Sequence, residues 1–599
     1  MHSIIPQLAA AVIICWSVVG AGESTKVIAE PSRCTVELNP GAIAVGIANR
    51  TFNDVPFCAY LGLRYAAPPL GELRFADPVL YREPEGLRNY TAYGSACAQF
   101  ENINDQTEVE GNEDCLFINV FSPAPEGSTT KYPVLVFIHG GSFAAGSGEL
   151  RGVDLLMEHE VIVVTLNYRL GVLGFLKHER YNITGNYGLK DQLVALRWLH
   201  RYVHQFGGDP QRVTLMGHSA GAGAVTHHLY NARAQPLFQG AMILGGSGLA
   251  SWAMLYEHRK CVSNYLRDLG ATTLTELREL EFQKFFIKDT KLRHAFAFSS
   301  MFYPCFIPTL DTDQSESAYF DRSVHQQVLV GSPPAIPLLV SETANEFELL
   351  LKHVTDFWMS DNYPNNRHPT IKRRMWEVLE HLSNWAVHHG LEESKKRFYQ
   401  KMANMANLRY PIRRLLNTLT SDPLYYMRFE FDGKFGENKR KTYAWYIEPN
   451  KYGAIHGDEL SYIFTPYNLQ EALTNRSEYR EELAVHFKTV ELVTNFVKYG
   501  NPTPKRSKLS NVVWPAYNKE HNQTQYLNVD SEFTLRTVED RRDMYYIVWS
   551  VFYNCLYYFD CQPVDGLEHL LEECGVSKTP PSYDLDSDDQ DENFKNNND

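Results

Sequence analysis

The sequence has little that would mark it as a nucleic-acid-binding, collagen-like or disordered protein. Lys and Arg number 57 against 71 Asp and Glu in 599 residues, so the positive excess that a phosphate-tracking surface needs is missing. Gly (38) and Pro (30) occur at ordinary frequencies, which excludes collagen-like and low-complexity classes. Charged residues make up only 21 % of the chain and apolar residues 44 %, so there is ample apolar surface to bury.

The chain also lacks an apolar run long enough to span a membrane, for which about 20 residues are needed. The run Leu8–Val19 is followed by small residues, which predicts a secretory signal peptide over residues 1–22. Because the first seven residues contain no Lys or Arg, a signal anchor or a buried N-terminal strand is the alternative. A second run, Met544–Phe559, is short and contains an Asn, so it predicts a buried final helix.

Export would place the chain in an oxidising compartment, where cysteines pair. Nine cysteines follow the predicted leader, and this odd number allows an interchain disulfide through Cys555, Cys561 or Cys574. A homodimer or an extracellular protein partner is therefore an open possibility. Five glycosylation sequons agree with secretion. Their acceptors are Asn49, Asn89, Asn182, Asn475 and Asn522.

The C-terminus differs in composition from the rest of the chain. Residues 583–599 carry seven acids, one Lys and almost no apolar side chain, which predicts a disordered tail after a short extension over 563–582. The tail contributes −6 (seven acids minus one Lys) to the net charge of −14. The rest of the chain is thus only mildly acidic, and the overall charge says little about a substrate.

Buried strands alternate with helices between residues 132 and 230. The stretch PVLVFIHGG predicts a buried strand that runs into glycines, and VIVVTLNYRLG predicts a second strand. LKDQLVALRWLHRYVHQF predicts a helix, because its apolar residues recur at helical spacing. RVTLMGHSAGAGAVTHHL then predicts a strand, a tight turn and a helix. This alternation predicts an α/β fold with a parallel sheet.

The tight turn contains the pattern Gly-X-Ser-X-Gly at residues 217–221. Small residues permit a strained bend that exposes the Ser219 hydroxyl, and the next helix directs its N-terminal amides toward developing negative charge. We therefore predict Ser219 as a nucleophile rather than part of a structural turn. The predicted oxyanion donors are the N–H groups of Gly141 and Ser142, in a glycine loop after the first strand, and of Ala220. No Gly-Lys-Ser/Thr follows that loop, so it is not a P-loop.

An activated serine needs a base, and the base needs a carboxylate that orients it. His456 lies on a predicted loop, and Glu346 follows a predicted buried strand at Ile336–Val340. The order Ser219, Glu346, His456 is the order expected of α/β-hydrolases. From the residues alone this choice stays open. Three nearby acids, each interpreted as a solvated surface residue, are local rivals: Glu342, Asp458 and Glu459.

Four longer stretches carry a specific resemblance to a known family: AYLGLRYAAPPLGELRFADP, EDCLFINVFSP, NYRLGVLGFL and GNYGLKDQLVALRWLHRYVHQFGGDPQRVTLMGHSAGA. Through them the chain resembles the type-B carboxylesterase and cholinesterase family of α/β-hydrolases over about residues 34–560. The resemblance implies an α/β-hydrolase fold: one large domain, assigned to residues 23–562, with a large, mostly parallel central sheet flanked by helices.

The resemblance also implies roles for individual residues. It makes Ser219, Glu346 and His456 the nucleophile, the acid and the base. It implies a disulfide between Cys97 and Cys115. Two further pairs are candidates: Cys261 with Cys305, and Cys34 with Cys58.

Departures from the family pattern bear on the substrate. The loop that corresponds to Ala98–Asp114 lacks the Trp with which cholinesterases stack on a quaternary ammonium, and His218 replaces the Glu before their nucleophile. Choline esters are therefore not expected. Ser142 replaces a family glycine that donates its backbone N–H to the oxyanion, and the backbone N–H of a serine can still make this hydrogen bond. Gly245 replaces a Ser that usually supports the acid, and Phe347 replaces the Gly that usually follows it.

The sequence thus predicts a secreted, glycosylated serine carboxylesterase that hydrolyses a small-molecule carboxylic ester through an acyl-enzyme. Phe302, near the usual acyl pocket, favours short acyl groups. The mechanism requires no metal or organic cofactor, and neither a nucleic-acid partner nor a membrane span is expected. The alternative is a non-catalytic cholinesterase-like adhesion or extracellular-matrix glycoprotein, because glutactin-like secreted members combine such a domain with an acidic C-terminus. The complete triad favours the enzyme.

Overall fold

The structure is a computed structural model that describes residues 34–100, 108–123, 129–150, 152–256, 258–286, 305–311, 317–330, 335–346, 369–442, 453–507, 512–518, 525–538, 543–558 and 560. The predicted leader, the C-terminal extension and the acidic tail lie outside these ranges. So do five residues singled out above: Phe302, Phe347, Asn522, Cys561 and Cys574.

The described residues form sixteen strands. In chain order these are β1 (Thr35–Asn39), β2 (Ala42–Val45), β3 (Ile47–Arg50), β4 (Pro56–Arg64), β5 (Gly86–Asn89), β6 (Gln99–Phe100), β7 (Val109–Glu110), β8 (Phe117–Ser122), β9 (Tyr132–Ile138), β10 (Ile162–Leu166), β11 (Gly208–His218), β12 (Gly240–Leu244), β13 (Leu338–Thr343), β14 (Leu424–Phe429), β15 (Gln525–Val529) and β16 (Thr534–Thr537).

The α-helices of the described ranges are α1 (Asp154–Glu158), α2 (Gly171–Phe175), α3 (Tyr187–Tyr202), α4 (Ala220–Leu229), α5 (Arg259–Leu269), α6 (Leu274–Glu279), α7 (Val324–Val330), α8 (Pro369–His388), α9 (Lys395–Asn404), α10 (Tyr410–Thr418), α11 (Leu469–Thr474), α12 (Arg480–Tyr499) and α13 (Met544–Tyr558). Among these helices, none combines the length and the apolar character needed to cross a membrane.

Eleven strands form one sheet, in the order β16-β15-β14-β13-β12-β11-β9-β10-β8-β4-β3. The seven strands from β15 to β10 in this order pair in parallel. The antiparallel pairs lie on the two sides, with β16 next to β15 and with β8, β4 and β3 beyond β10. The expected large, mostly parallel sheet of an α/β-hydrolase fold is therefore confirmed.

The sheet is covered on both faces by apolar side chains. Along β9, Val134, Val136 and Ile138 belong to one buried cluster, whereas Leu135 and Phe137 belong to another. Because successive side chains of a strand point to opposite faces, the two clusters lie on opposite sides of the sheet. Burial on both faces explains why the central strands are continuous apolar runs rather than alternating ones.

The order of the strands reverses beside β9, and this reversal positions the functional site. Strand β10 pairs with one edge of β9 and β11 with the other, so the chain crosses over between them. In open α/β sheets, ligands bind outside the carboxyl ends of the strands at such a switch point. The loops that follow β9, β11, β12 and β13 carry the residues described below.

One predicted strand shifts in the structure, and the predicted final helix is confirmed. Strand β13 covers Leu338–Thr343 rather than Ile336–Val340, because it continues to pair with β14 as far as Thr343 opposite Phe429. Glu346 therefore follows the strand end by three residues rather than six. The predicted final helix is confirmed as α13, with a largely buried surface.

The disulfides implied or suggested by the family resemblance are present. Cys97 pairs with Cys115. The two further candidate pairs, Cys261 with Cys305 and Cys34 with Cys58, also form. Cys555 is buried and is itself disulfide-bonded within this single chain, so it is removed from the candidates for an interchain disulfide.

Candidate active site

Ser219 lies at a sharp turn between β11 and α4. Its backbone has φ +57° and ψ −120°, and α4 begins at the next residue, Ala220. A side chain on Gly217 would overlap the Gly221 carbonyl, and one on Gly221 would overlap the Ile138 carbonyl, so neither position accommodates a Cβ. These contacts explain the two glycines of the motif, and the predicted strained strand-to-helix turn is present.

The loop after β9 packs directly against this turn. A Cβ on Gly140 would lie 2.9 Å from Ser219 Cβ and 2.7 Å from the His218 carbonyl oxygen. The following residues, Gly141 and Ser142, both have positive φ, at +97° and +58°. The structure thus brings the loop of two predicted oxyanion donors next to Ser219. The third, Ala220, is the first residue of α4, where an amide has no acceptor in its own helix.

His139 is a positioning residue of this loop that sequence reasoning missed. Its imidazole stacks on Tyr168 with ring centroids 4.4 Å apart, and the Tyr168 hydroxyl donates to the His139 carbonyl at 3.0 Å. Burial lowers the pKa of His139 to about 4, so the ring is neutral at physiological pH. The sequence contains 21 histidines, and no pattern around His139 distinguishes it from the others for this role.

Glu346 and His456 form a direct pair. The Nδ1 atom of His456 lies 2.5 Å from Glu346 Oε2, and the Thr343 amide donates to Oε1 at 2.6 Å. The backbone amide of His456 also donates to the Glu346 carbonyl at 3.2 Å. Glu346 is only 1 % exposed. A buried carboxylate with these partners holds an imidazole in one orientation and one tautomer.

The end of β12 joins this pair to Ser219. The Ser219 amide donates to the Leu244 carbonyl at 2.9 Å, and a Cβ on Gly245 would lie 3.2 Å from His456 Cε1. The rings of His218 and His456 lie 4.5 Å apart between centroids. Ser219, Glu346 and His456, which are remote in sequence, are therefore brought to one place at the carboxyl edge of the sheet.

The three rival acids are not solvated surface residues, and this sequence-based interpretation is wrong. Glu342 is fully buried and faces Arg409 Nη2 at 3.1 Å and Arg413 Nη2 at 3.4 Å. Burial opposes its ionisation, but the charges of Arg409, Arg413 and Arg428 prevail and hold its pKa at about 2. Glu342 is thus the anion of a buried arginine cluster and does not contact His456.

Asp458 holds the loop that carries His456. Its Oδ2 accepts the Ile455 amide at 3.0 Å and its Oδ1 accepts the Lys439 amide at 3.1 Å. Burial raises its pKa to about 6 although these amides favour the carboxylate. Asn438 supports the same loop, because its Nδ2 donates to the His456 carbonyl at 2.7 Å. The sequence gives no sign of this, since Asn438 begins a short, charged helical turn over Asn438–Thr442.

Glu459 is completely buried beside His218. Its Oε1 lies 3.6 Å from His218 Nε2. Burial raises the pKa of Glu459 well above its usual range, and the negative charge of Glu346 adds to this. Burial likewise lowers the pKa of His218 well below its usual range, with nearby His456 contributing. Both shifts favour the neutral form of the group.

The remaining predicted site residues fall into two groups. The sequon asparagines within the described ranges are all exposed; they are Asn49, Asn89, Asn182 and Asn475. Phe302, predicted for the acyl pocket, and Asn522 lie outside those ranges. The described residues contain no cluster of His, Cys, Asp and Glu side chains that could hold a metal ion.

Comparisons with known proteins agree with this architecture. A juvenile hormone esterase of Heliothis virescens is 28 % identical over 519 residues, which cover 82 % of this chain and 89 % of that protein. Esterase B1 of Culex pipiens is 27 % identical over 556 residues, or 87 % of this chain and 98 % of that protein. A juvenile hormone esterase of Tribolium castaneum is 41 % identical over 229 residues, 37 % of this chain and 38 % of that protein.

Among solved structures, juvenile hormone esterase from Manduca sexta with OTFP covalently attached has a TM-score of 0.73 to this chain. It is 24 % identical, and the match covers 88 % of this chain and 100 % of that one, which shows a shared fold. The family model described as "Carboxylesterase family" matches residues 32–547. Family and relatives together support carboxylic ester hydrolysis. The protein therefore belongs to the carboxylesterase family.

Proposed function

We propose that this protein is a serine carboxylesterase with Ser219 as nucleophile, His456 as general base and acid, and Glu346 as the carboxylate that orients His456. The observation that carries the proposal is the 2.5 Å contact between His456 Nδ1 and Glu346 Oε2 beside the turn that bears Ser219. A nucleophile, a base and an orienting carboxylate are the three groups that acyl transfer by an activated serine requires.

The proposed reaction proceeds through an acyl-enzyme. The Ser219 hydroxyl attacks the ester carbonyl carbon while His456 Nε2 takes its proton, which gives a tetrahedral oxyanion and an imidazolium. Glu346 stabilises the imidazolium and keeps the proton on Nδ1. His456 then protonates the leaving alcohol as the C–O bond breaks. Water repeats the sequence on the acyl-enzyme and releases the acid.

The oxyanion is proposed to accept hydrogen bonds from the amides of Gly141, Ser142 and Ala220. The packing of Gly140 against Ser219 supports this, because it holds the loop within reach of a carbonyl bound at the serine. Removing one such donor typically costs 10²–10³ in kcat. Ser142 supplies a backbone amide as well as a glycine would, since only the N–H takes part.

Secretion and glycosylation complete the proposal. The apolar run before residue 22, three disulfides and four exposed sequons support an extracellular protein. Expression in a eukaryotic secretory host tests this part directly. We expect the protein in the medium, with an N-terminus near residue 23 and a loss of mass on treatment with peptide N-glycosidase. Retention in the cell with an intact N-terminus would contradict it.

Covalent labelling with a fluorophosphonate probe tests the mechanism. We expect the probe to label the wild type at Ser219 and to leave Ser219→Ala unlabelled, with both proteins showing the same thermal unfolding midpoint. Ser251→Ala is a matched control, because Ser251 lies on a loop outside the proposed triad. A folded wild type that the probe does not label at Ser219 overturns the serine mechanism and favours the adhesion alternative.

The esters to be tested as substrates are chosen from the sequence and from the names of the relatives. Nitrophenyl esters of increasing acyl length test the predicted preference for short acyl groups. Two relatives carry the name juvenile hormone esterase, so an ester of that hormone belongs in the panel. Choline esters serve as the negative arm, because the loop over Ala98–Asp114 lacks a Trp.

A further inference from the structure

The pair His218 and Glu459 is not used in the mechanism above, although it touches the proposed base. His218 ends β11, directly before Ser219, and Glu459 follows His456 by three residues. The His218 ring packs on the His456 ring at 4.5 Å. Both side chains are buried, and Glu459 Oε1 lies 3.6 Å from His218 Nε2.

The backbone amides of Gly457 and Glu459 lie near the Glu459 carboxyl group and favour its charged form. Neither of them makes a hydrogen bond of good distance and angle to it among the described residues. His218 Nε2 and both carboxylate oxygens of Glu459 are buried without a hydrogen bond there. A buried polar atom left unpaired costs roughly 1–3 kcal/mol, and a buried unpaired charge costs more. One proton on the carboxyl group removes the charge, and His218 Nε2 at 3.6 Å is the nearby acceptor toward which a small side-chain rotation would direct it.

Gly245 provides the space for this arrangement. A Cβ at this position would lie 3.3 Å from His218 Nε2 and 3.2 Å from His456 Cε1. Both distances are tighter than an ordinary van der Waals contact, and Gly245 also has φ +55°. A residue with a side chain at position 245 would therefore compete with the His218 ring for the place beside His456.

We propose that Glu459 is held as a neutral carboxylic acid that donates a hydrogen bond to His218, and that this pair positions the His456 imidazole against Glu346. The proposal rests on the proposed serine mechanism. A neutral pair leaves Glu346 as the anion that orients the base. An ionised Glu459 would compete with Glu346 for the imidazolium, and a cationic His218 would oppose its formation.

The ionisable groups that face the pair are His456, Glu346 and Asp458. His456 and Asp458 belong to the same loop as Glu459, and Glu346 follows β13. Burial and the charge of Glu346 raise the pKa of Glu459, so the neutral acid is consistent with all three neighbours.

Two variants of Glu459 test its protonation state. Glu459→Gln keeps a donor of the same shape, whereas Glu459→Leu keeps the size and removes the donor. We expect Glu459→Gln to retain kcat within about threefold. Glu459→Leu should lose roughly 10–100-fold in kcat with little change in KM, by analogy with residues that hydrogen-bond and orient metal ligands. Equal losses in the two variants would mean that the carboxylate is ionised, and no loss in Glu459→Leu would remove the positioning role.

His218→Glu provides a readout that a purely structural role would not move. It places a second carboxyl group beside His456, next to that of Glu459. The two carboxyl groups then share one proton and carry one negative charge. We expect the apparent pKa of the acid limb of the kcat/KM profile to increase by about one unit, because a nearby anion favours the imidazolium form of His456. An unmoved acid limb in folded His218→Glu overturns the proposal.

A matched control and a turnover-independent measurement separate the possible failures. His325 is a similarly buried histidine that stacks on Tyr557 rather than on His456, so His325→Gln should lower the unfolding midpoint and leave the pH profile unchanged. In Ser219→Ala at pH 7, the infrared band of a protonated carboxyl should be present and should disappear on adding Glu459→Gln. An inactive wild type overturns the serine mechanism, whereas an active wild type without this band overturns the present proposal alone.

Discussion

Four acidic side chains on the two segments that carry Glu346 and His456 meet four different environments. Glu342 faces arginines and stays ionised, with a pKa of about 2. Asp458 accepts two amides, and burial raises its pKa to about 6. Burial and the negative charge of Glu346 raise the pKa of Glu459. Glu346 pairs with His456. The environment of each carboxyl group, rather than its residue type, therefore decides its role.

The role of Glu346 is testable by an isosteric change. Glu346→Gln keeps the side chain's size but removes the charge that stabilises the imidazolium, and its amide can hold His456 in the wrong tautomer. We expect kcat to fall about 10⁴-fold, by analogy with the orienting acid of serine proteases. Nitrophenyl ester turnover measures this. Glu430→Gln, a change in an acid that pairs with Arg536 rather than with His456, should keep full activity. Retained activity in Glu346→Gln would assign the acid elsewhere.

Glu342 is predicted to make the protein sensitive to acid. Its folded pKa of about 2 lies below its ordinary value of 4.5, so the folded state binds fewer protons than the unfolded state. The shift is worth roughly 3 kcal/mol of stability at pH 7, fully present above about pH 5 and lost as the pH falls toward about 2.

Glu342→Gln tests this contribution. The change removes the buried counter-charge of Arg409 and Arg413, and we expect a loss of about 3–5 kcal/mol in the free energy of unfolding at pH 7. Urea unfolding of wild type and variant at pH 7 and pH 4 measures the loss, which should shrink at the lower pH. A difference that stays constant with pH would contradict the depressed pKa.

At the scale of elements, the turn from β11 to α4 and the helix α13 show two kinds of local sequence signal. The turn is specified by glycines that would overlap backbone if they carried a Cβ. Helix α13 is specified by its apolar composition, which buries it against the domain, with Trp549, Phe552 and Tyr553 almost inaccessible to solvent. Both signals are local, and both predictions from the sequence are confirmed.

The packing of α13 gives a stability prediction. Phe552→Ala removes a fully buried ring, and we expect a loss of about 3–5 kcal/mol because the cavity left behind closes only in part. Ser550→Ala is the matched control on the same helix, since its half-buried hydroxyl bonds only the Ile547 carbonyl of its own turn. Thermal unfolding should separate the two variants clearly; similar midpoints would show that α13 contributes little to stability.

At the scale of the whole molecule, disulfides and the sheet hold distant segments together. The Cys97–Cys115 bridge closes a loop with a sequence separation of 18 residues, and the Cys261–Cys305 bridge one of 44. Loops of these lengths correspond to about 3 and about 4 kcal/mol of stabilisation in the chain-entropy model.

Removal of these bridges tests their contribution. We expect the double variant Cys97→Ser/Cys115→Ser to unfold at a lower urea midpoint, with a loss of about 3 kcal/mol, and the Cys261→Ser/Cys305→Ser variant to lose somewhat more. A reducing agent should lower the wild-type midpoint below that of either variant. A wild type that is unaffected by complete reduction would contradict this expectation.

Features that depend on a local pattern of residues could be predicted from the amino-acid sequence. Alternating buried strands and helices predicted the α/β fold, glycine spacing predicted the turn at Ser219, and an apolar run predicted α13. The family resemblance added the triad roles and the Cys97–Cys115 pair. Such features depend on residues that are near one another in the chain, so the pattern of residues along the sequence indicates them.

The burial and charge of the acids, and the groups that surround His456, depend instead on how the chain folds. Glu342 was interpreted as solvated because its arginines lie more than 65 residues away in sequence. The place of Glu459 beside His218, and the need for Gly245 between two imidazole rings, arise when β11, β12 and the His456 loop meet at one edge of the sheet. The burial and the charge of a side chain depend on neighbours that are distant in the chain. These neighbours come into contact only in the folded protein, so a local sequence pattern does not reveal them.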